Sequence, residues 1–185
     1  MLIVRVALSS ELLAAHPDAQ SLLGADERAR FAALRRREDQ DDFVAARVLV
    51  RTLLVAESAV PLRAVRIRQE CARCGGPHGA PQTDGAFLSW AHSSGVVAAV
   101  VSDQPVGIDV EPLGAAVPVL DGRLRDVAEW VRLEAIVKTG RIDLDGALAL
   151  PRAELAGVTV TDWADPAAGV AVAIASVGGY RPSVS

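Results

Sequence analysis

Cysteine, aromatic side chains and long apolar runs are all scarce in this sequence of 185 residues. Phe, Trp and Tyr together make up 4% of it, so the apolar half of the composition is largely Ala and Val. No apolar stretch approaches the roughly 20 residues of a membrane helix. The longest, GVAVAIASVGG, is of strand length. The opening MLIVRVAL has only a brief apolar run broken by Arg5, so no secretory leader is expected and a cytoplasmic location is the default. Positive charge is not in excess either. The net charge of −4 argues against a general nucleic-acid binder. A composition that is half hydrophobic excludes a disordered chain, and the length suits one domain or two small halves.

The two cysteines stand together, Cys71 and Cys74 in CARCGGPHG, with His78 close behind. A C-x-x-C with a nearby histidine looks like part of a zinc site, but a structural site takes four ligands and no second Cys/His pair is present. The favoured reading is a Gly- and Pro-rich loop carrying two reduced thiols. His92 completes a zinc site only if it is not used elsewhere.

What is present reads as alternating strands and helices. LIVRVAL alternates as an opening strand. The stretch from Ala25 to Ser58 repeats Phe31, Leu34, Phe43, Val44, Arg47, Val48 and Arg51 at helical spacing, which predicts one long helix. Its mixed charges over residues 26–42 suit a solvated face or a docking surface. Pro61 stops it. AVRIRQE alternates as a strand, and residues 71–86 read as a loop. AFLSWAHSSGVVAAVVSDQPVGIDVE reads as a three-stranded meander with turns at Ser94–Gly95 and Asp103–Pro105. GRLRDVAEWVRLEAIVKTGR reads as a helix, with an apolar stripe at Val127, Trp130, Leu133 and Val137 and a stop at Gly140. AGVTVTDW and GVAVAIAS make a last strand pair across an Asp-Pro turn, and the tail GGYRPSVS reads as loose. Two parts follow, residues 1–105 and 106–185, each with a helix and strands but with no evident sequence repeat.

The chemistry concentrates in QPVGIDVEP, residues 104–112. Strand alternation puts Asp109 and Glu111 on one face and Ile108 and Val110 on the other. Two like charges on one face call for a cation between them, and hard carboxylate oxygens suit Mg²⁺. A solvated strand face is the commoner fate of such a pair, so a third ligand is needed. Glu134 on the later helix is the candidate, and Lys138 lies four residues on along the same face.

The order Ala91-His92-Ser93, then Gly107-Ile108-Asp109-Val110-Glu111, then Trp130, Glu134, Ala135 and Lys138 resembles the 4′-phosphopantetheinyl transferases of the surfactin-synthetase type. The stretches RRREDQDDFVAARVLVRTLL and CARCGGPHGAPQ also look like bacterial members, so the resemblance covers about residues 24–140. It implies an α/β (α+β) fold of two similar, pseudo-twofold subdomains, each a small antiparallel sheet on a helix. It also implies a monomer with coenzyme A in the cleft between the halves. The reaction implied is transfer of the phosphopantetheine arm from coenzyme A to a serine of an acyl or peptidyl carrier protein. By the same resemblance Asp109, Glu111 and Glu134 hold Mg²⁺, Glu134 is also the base, Lys138 binds phosphate, and His92 serves the 3′-phosphate region.

Four departures set this chain apart from the family pattern. Leu133 replaces a lysine that precedes the glutamate. Asp42 replaces an arginine for the 3′-phosphate and is expected to repel that group, with Arg47 or Arg51 as substitutes. Ala80 stands where a basic residue is common. Only 22 residues separate Glu111 from Glu134, so the 112–129 segment is short. Losing phosphate contacts worth about 1.5–3 kcal/mol each would weaken coenzyme A binding. The alternative expectation is therefore a degenerate member serving as a non-catalytic carrier-protein or nucleotide-binding module.

Overall fold

A computed structural model describes residues 1–56, 60–71, 74–77, 79–118, 124–149 and 157–178. It has two antiparallel sheets, an α/β (α+β) fold. The first sheet contains β1 (Leu2–Leu8), β2 (Arg68–Gln69), β3 (Pro81–Thr83), β4 (Ala86–Ser93) and β5 (Val96–Ser102), in the order β1-β5-β4-β3-β2. The second contains β6 (Val106–Pro112), β7 (Val158–Asp165) and β8 (Val170–Val177), in the order β6-β8-β7. The helices are α1 (Ser9–Ala15), α2 (Ala25–Ala33), α3 (Arg37–Val55), α4 (Val127–Lys138) and α5 (Leu144–Ala149). Among the described residues, no helix is long and apolar enough to cross a membrane.

The abundance of Ala and Val is explained by strands buried on both faces. In β5, Val97, Ala99 and Val101 pack with Ala45, Ala46, Leu49, Val50 and Leu53 of α3. Its alternate residues Val96, Ala98 and Val100 pack with Val106, Ile108 and Val110 of β6 and Val172 and Ile174 of β8, between the sheets. On the far side of β8, Ala171, Ala173 and Ala175 receive Val131, Leu133, Ala135 and Ile136 of α4. Such strands lack polar alternation because neither face meets water. In both sheets the first strand pairs with the last and the last with the one before it, β1-β5-β4 and β6-β8-β7. The strand order thus repeats without a repeat in sequence.

Several expectations are corrected. The helix predicted from Ala25 to Ser58 is two helices, because the backbone is extended at Leu34 and Arg36. Leu34 turns in to pack with Leu23, Phe43 and Val48, and its carbonyl accepts from Gln40 Nε2 at 3.0 Å. AVRIRQE forms only the two-residue β2, and the predicted loop 71–86 contains β3. The meander is broken after β5: β6 leaves for the second sheet, where β8 is its partner. The Ser94–Gly95 turn forms as expected, with φ of 52° and 83°. Helices α1 and α5 have no counterpart in the sequence reading. The tail beyond Gly178 and the zinc candidate His78 lie outside the described residues.

Candidate functional site

Gly107 positions the site. A Cβ there would meet the Ala135 carbonyl oxygen at 2.0 Å and Lys138 Cβ at 2.9 Å, so α4 lies directly on the β6 backbone. That close approach is available only to glycine. It brings the C-terminal turns of α4 over the face of β6 that carries Asp109 and Glu111. Ile108 and Val110 point inward, as strand alternation requires.

A cleft of about 360 Å³ opens between the two sheets' helices. It is lined by Arg30 of α2, Arg47 of α3, Trp90, Ala91 and His92 of β4, Asp109 and Glu111 of β6, and Trp130, Glu134 and Lys138 of α4. Residues from both halves of the sequence therefore share one cavity. Trp130, Glu134 and Lys138 stand four apart, so they follow one helix face. The sequence placed Trp130 in the apolar stripe; it is partly buried there and also borders the cleft.

Asp109 is 5% exposed, with Oδ1 at 2.6 Å from Lys138 Nζ and Oδ2 without any hydrogen-bond partner. Burial drives its pKa up to about 6 against the pull of Lys138, and the neighbouring Glu111 and Glu134 charges push the same way as burial. Glu111 accepts a hydrogen bond from Ser93 Oγ at 2.8 Å. Arg47 is 1% exposed, with its guanidinium 3.5 Å from the Phe43 ring centre and 4.9 Å from that of Trp90. Desolvation lowers its pKa to about 9, opposed by Glu27, whose Oε1 is 3.7 Å from Nε. His92 stands at the exposed rim. Lost solvation and then the Arg47 charge lower its pKa, which favours the neutral ring.

Arg51 does not join this cleft. It is buried beside Arg47, bonded to Glu27 Oε2 at 2.8 Å, and it lines a different cavity. Asp42 is not a repulsive group facing a ligand. It is 5% exposed and accepts from Ser9 Oγ at 2.5 Å and from Gly95 N at 3.0 Å, tying α1 and the β4–β5 turn to α3. Leu133 is 7% exposed within the α4 core cluster, so its position does not present a side chain to the cleft. Ala80 is exposed. Cys71 is half-buried and Cys74 exposed.

Trp90 was not marked in the sequence, Arg30 and Glu27 stood there only within the mixed charges of residues 26–42, and Ser93 only within the Ala91-His92-Ser93 motif. Trp90 had a usable signal, since it lies two residues before His92 on the same strand face. Among the described residues, no three His, Cys, Asp or Glu side chains are already gathered as a metal site, the three cleft carboxylates included. No family model matches the chain, and no curated protein matches it in sequence.

Proposed function

We propose that this protein is a magnesium-dependent 4′-phosphopantetheinyl transferase, acting as a cytoplasmic monomer on coenzyme A and an acyl or peptidyl carrier protein. The observation that carries the reading is the shared cleft of Asp109, Glu111, Glu134, Lys138 and His92, drawn from three elements. These are the residues of the motif series that resembles the family.

The donor set fits a hard divalent cation. It offers three carboxylates, one buried oxygen of Asp109 with no partner, and an Asp109 pKa raised first by burial and then by the Glu111 and Glu134 charges. Asp109, Glu111 and Glu134 would hold the ion. Bound magnesium would neutralise pyrophosphate oxygens and so stabilise the charge that builds during transfer.

The chain's own groups supply the rest. Lys138, fixed by Asp109, places a positive charge beside the departing phosphate oxygens. Arg47, locked by two aromatic faces, is a preorganised cation on the other wall. Neutral His92 offers a hydrogen bond at the rim. The carrier serine Oγ forms a bond to the phosphorus that bears the pantetheine arm, the bond from that phosphorus to the nucleotide oxygen breaks, and Glu134 takes the serine proton.

A second reading, a non-catalytic module that holds a carrier protein or nucleotide, draws on two observations. Lys138 already occupies one oxygen of Asp109, and Leu133 lies in the core. Incubation with coenzyme A, Mg²⁺ and a panel of apo carrier proteins separates the two. Addition of a phosphopantetheine mass to a carrier supports the enzyme. Binding of a carrier with no addition to any supports the module.

A further inference from the structure

A larger cavity, of about 830 Å³, lies between α2 and residues 62–70, beside the carboxylate cleft, with which it shares Arg30. Among the described residues its wall carries six arginines, Arg28, Arg30, Arg51, Arg63, Arg66 and Arg68, against the carboxylates Asp26, Glu27 and Glu70. The chain as a whole has a net charge of −4, so this positive lining runs against the composition. Some of it is already committed. Arg28 donates to the Leu23 carbonyl, Arg30 to Gln69 Oε1 at 2.8 Å, and Arg68 lies 3.4 Å from Asp84. Arg63 and Arg66 are exposed and have no side-chain partner among the described residues.

Arg51 is 3% exposed and reaches the same cavity. Its guanidinium donates to Glu27 Oε2 at 2.8 Å and to the Arg47 carbonyl at 3.1 Å, yet its Nε has no hydrogen-bond partner. A buried cation with an unmet donor beside a rim of unpaired arginines is an arrangement that an anion completes. Guanidinium forks match phosphate oxygens in pairs, and the volume suits a metabolite.

We propose that this cavity is a second ligand site, for a phosphate-bearing anion of at least two negative charges, held by Arg51 from the floor and by Arg63 and Arg66 from the rim. The charge requirement follows from the balance of the lining: six arginines against Asp26, Glu27 and Glu70 leave three positive charges in excess, which a single negative charge would not neutralise. The inference does not rest on the transfer reading, since no carboxylate or lysine of the cleft takes part.

Calorimetric titration with inorganic pyrophosphate, in EDTA and without coenzyme A, tests it. The variants are the double substitution Arg63→Ala/Arg66→Ala, at exposed positions, and Lys138→Ala in the cleft. Thermal melts confirm that each is folded. The wild type is expected to bind, the double variant to bind at least about tenfold more weakly, and Lys138→Ala to bind as the wild type does. Rising salt should weaken binding, and saturating coenzyme A should leave it in place. No binding by the wild type, equal binding by the double variant, loss in Lys138→Ala, or displacement by coenzyme A would each overturn the second site. None of these measurements involves a carrier protein, so their failure is distinct from a failure of transfer.

Discussion

Lys138 Nζ lies 2.6 Å from Oδ1 of Asp109, across 29 residues of sequence, and leaves Oδ2 of the same buried carboxylate without a partner. One cation therefore answers half of one acid, while Glu111 and Glu134 add two more negative charges to the same cleft.

That imbalance has a pH signature. The folded pKa of Asp109 is raised to about 6 from 3.8. A raised folded value means that the native state holds the proton more tightly than the unfolded chain. The stability this gives is fully present below about 3.8 and is lost as pH rises through about 6. In metal-free buffer, the stability of the wild type relative to Asp109→Asn should therefore fall between pH 4 and 7, because other groups cancel in the difference. Urea melts of both proteins across that range would reveal it. A difference that does not change with pH would show that Asp109 is not strained by burial.

Gly107 makes the juxtaposition possible, so its side chain is the sensitive variable. Gly107→Ala should displace α4 and destabilise the protein by about 2 kcal/mol or more, as overpacking does. Crystallography of that variant should show Lys138 moved off Asp109. A native melting temperature with the pair intact would contradict the proposed role of the glycine.

Asp42 is expected to act through stability and not through ligand repulsion. Asp42→Ala leaves Gly95 N and Ser9 Oγ without their acceptor, and should cost about 2–4 kcal/mol. Asp42→Arg buries a cation in that place and should cost more. Denaturant titration of the two variants decides this. If Asp42→Arg is as stable as the wild type and binds coenzyme A more tightly, the carboxylate is a repulsive group after all.

The parts of the site that the sequence revealed are those with short-range periodicity. Asp109 and Glu111 share a face because strands alternate, and Glu134 and Lys138 share one because helices repeat about every four residues. What stayed hidden depends on distant partners. Asp42 looked solvent-facing because Ser9 and Gly95, which bury it, are 33 and 53 residues away. Arg51 looked available because Glu27, its partner, is 24 residues earlier on another helix. The break at Leu34 has no glycine or proline to mark it; packing against Leu23, Phe43 and Val48 sets it. The repeated strand order is written in which strands pair, and Val- and Ala-rich strands buried on both faces carry no mark of their partner.

The most direct measurement is intact-protein mass spectrometry of apo carrier proteins incubated with coenzyme A and Mg²⁺, comparing the wild type with Glu134→Gln. Glu134 is half-buried and lines the cleft, and glutamine has nearly the same shape, so the variant should remain folded. The wild type should add one phosphopantetheine to at least one carrier. Glu134→Gln should do so about 10²–10⁴-fold more slowly, the range for loss of a general base. Transfer at equal rates by both proteins would remove Glu134 from the chemistry. No transfer by the wild type to any carrier of the panel would contradict the enzymatic reading itself.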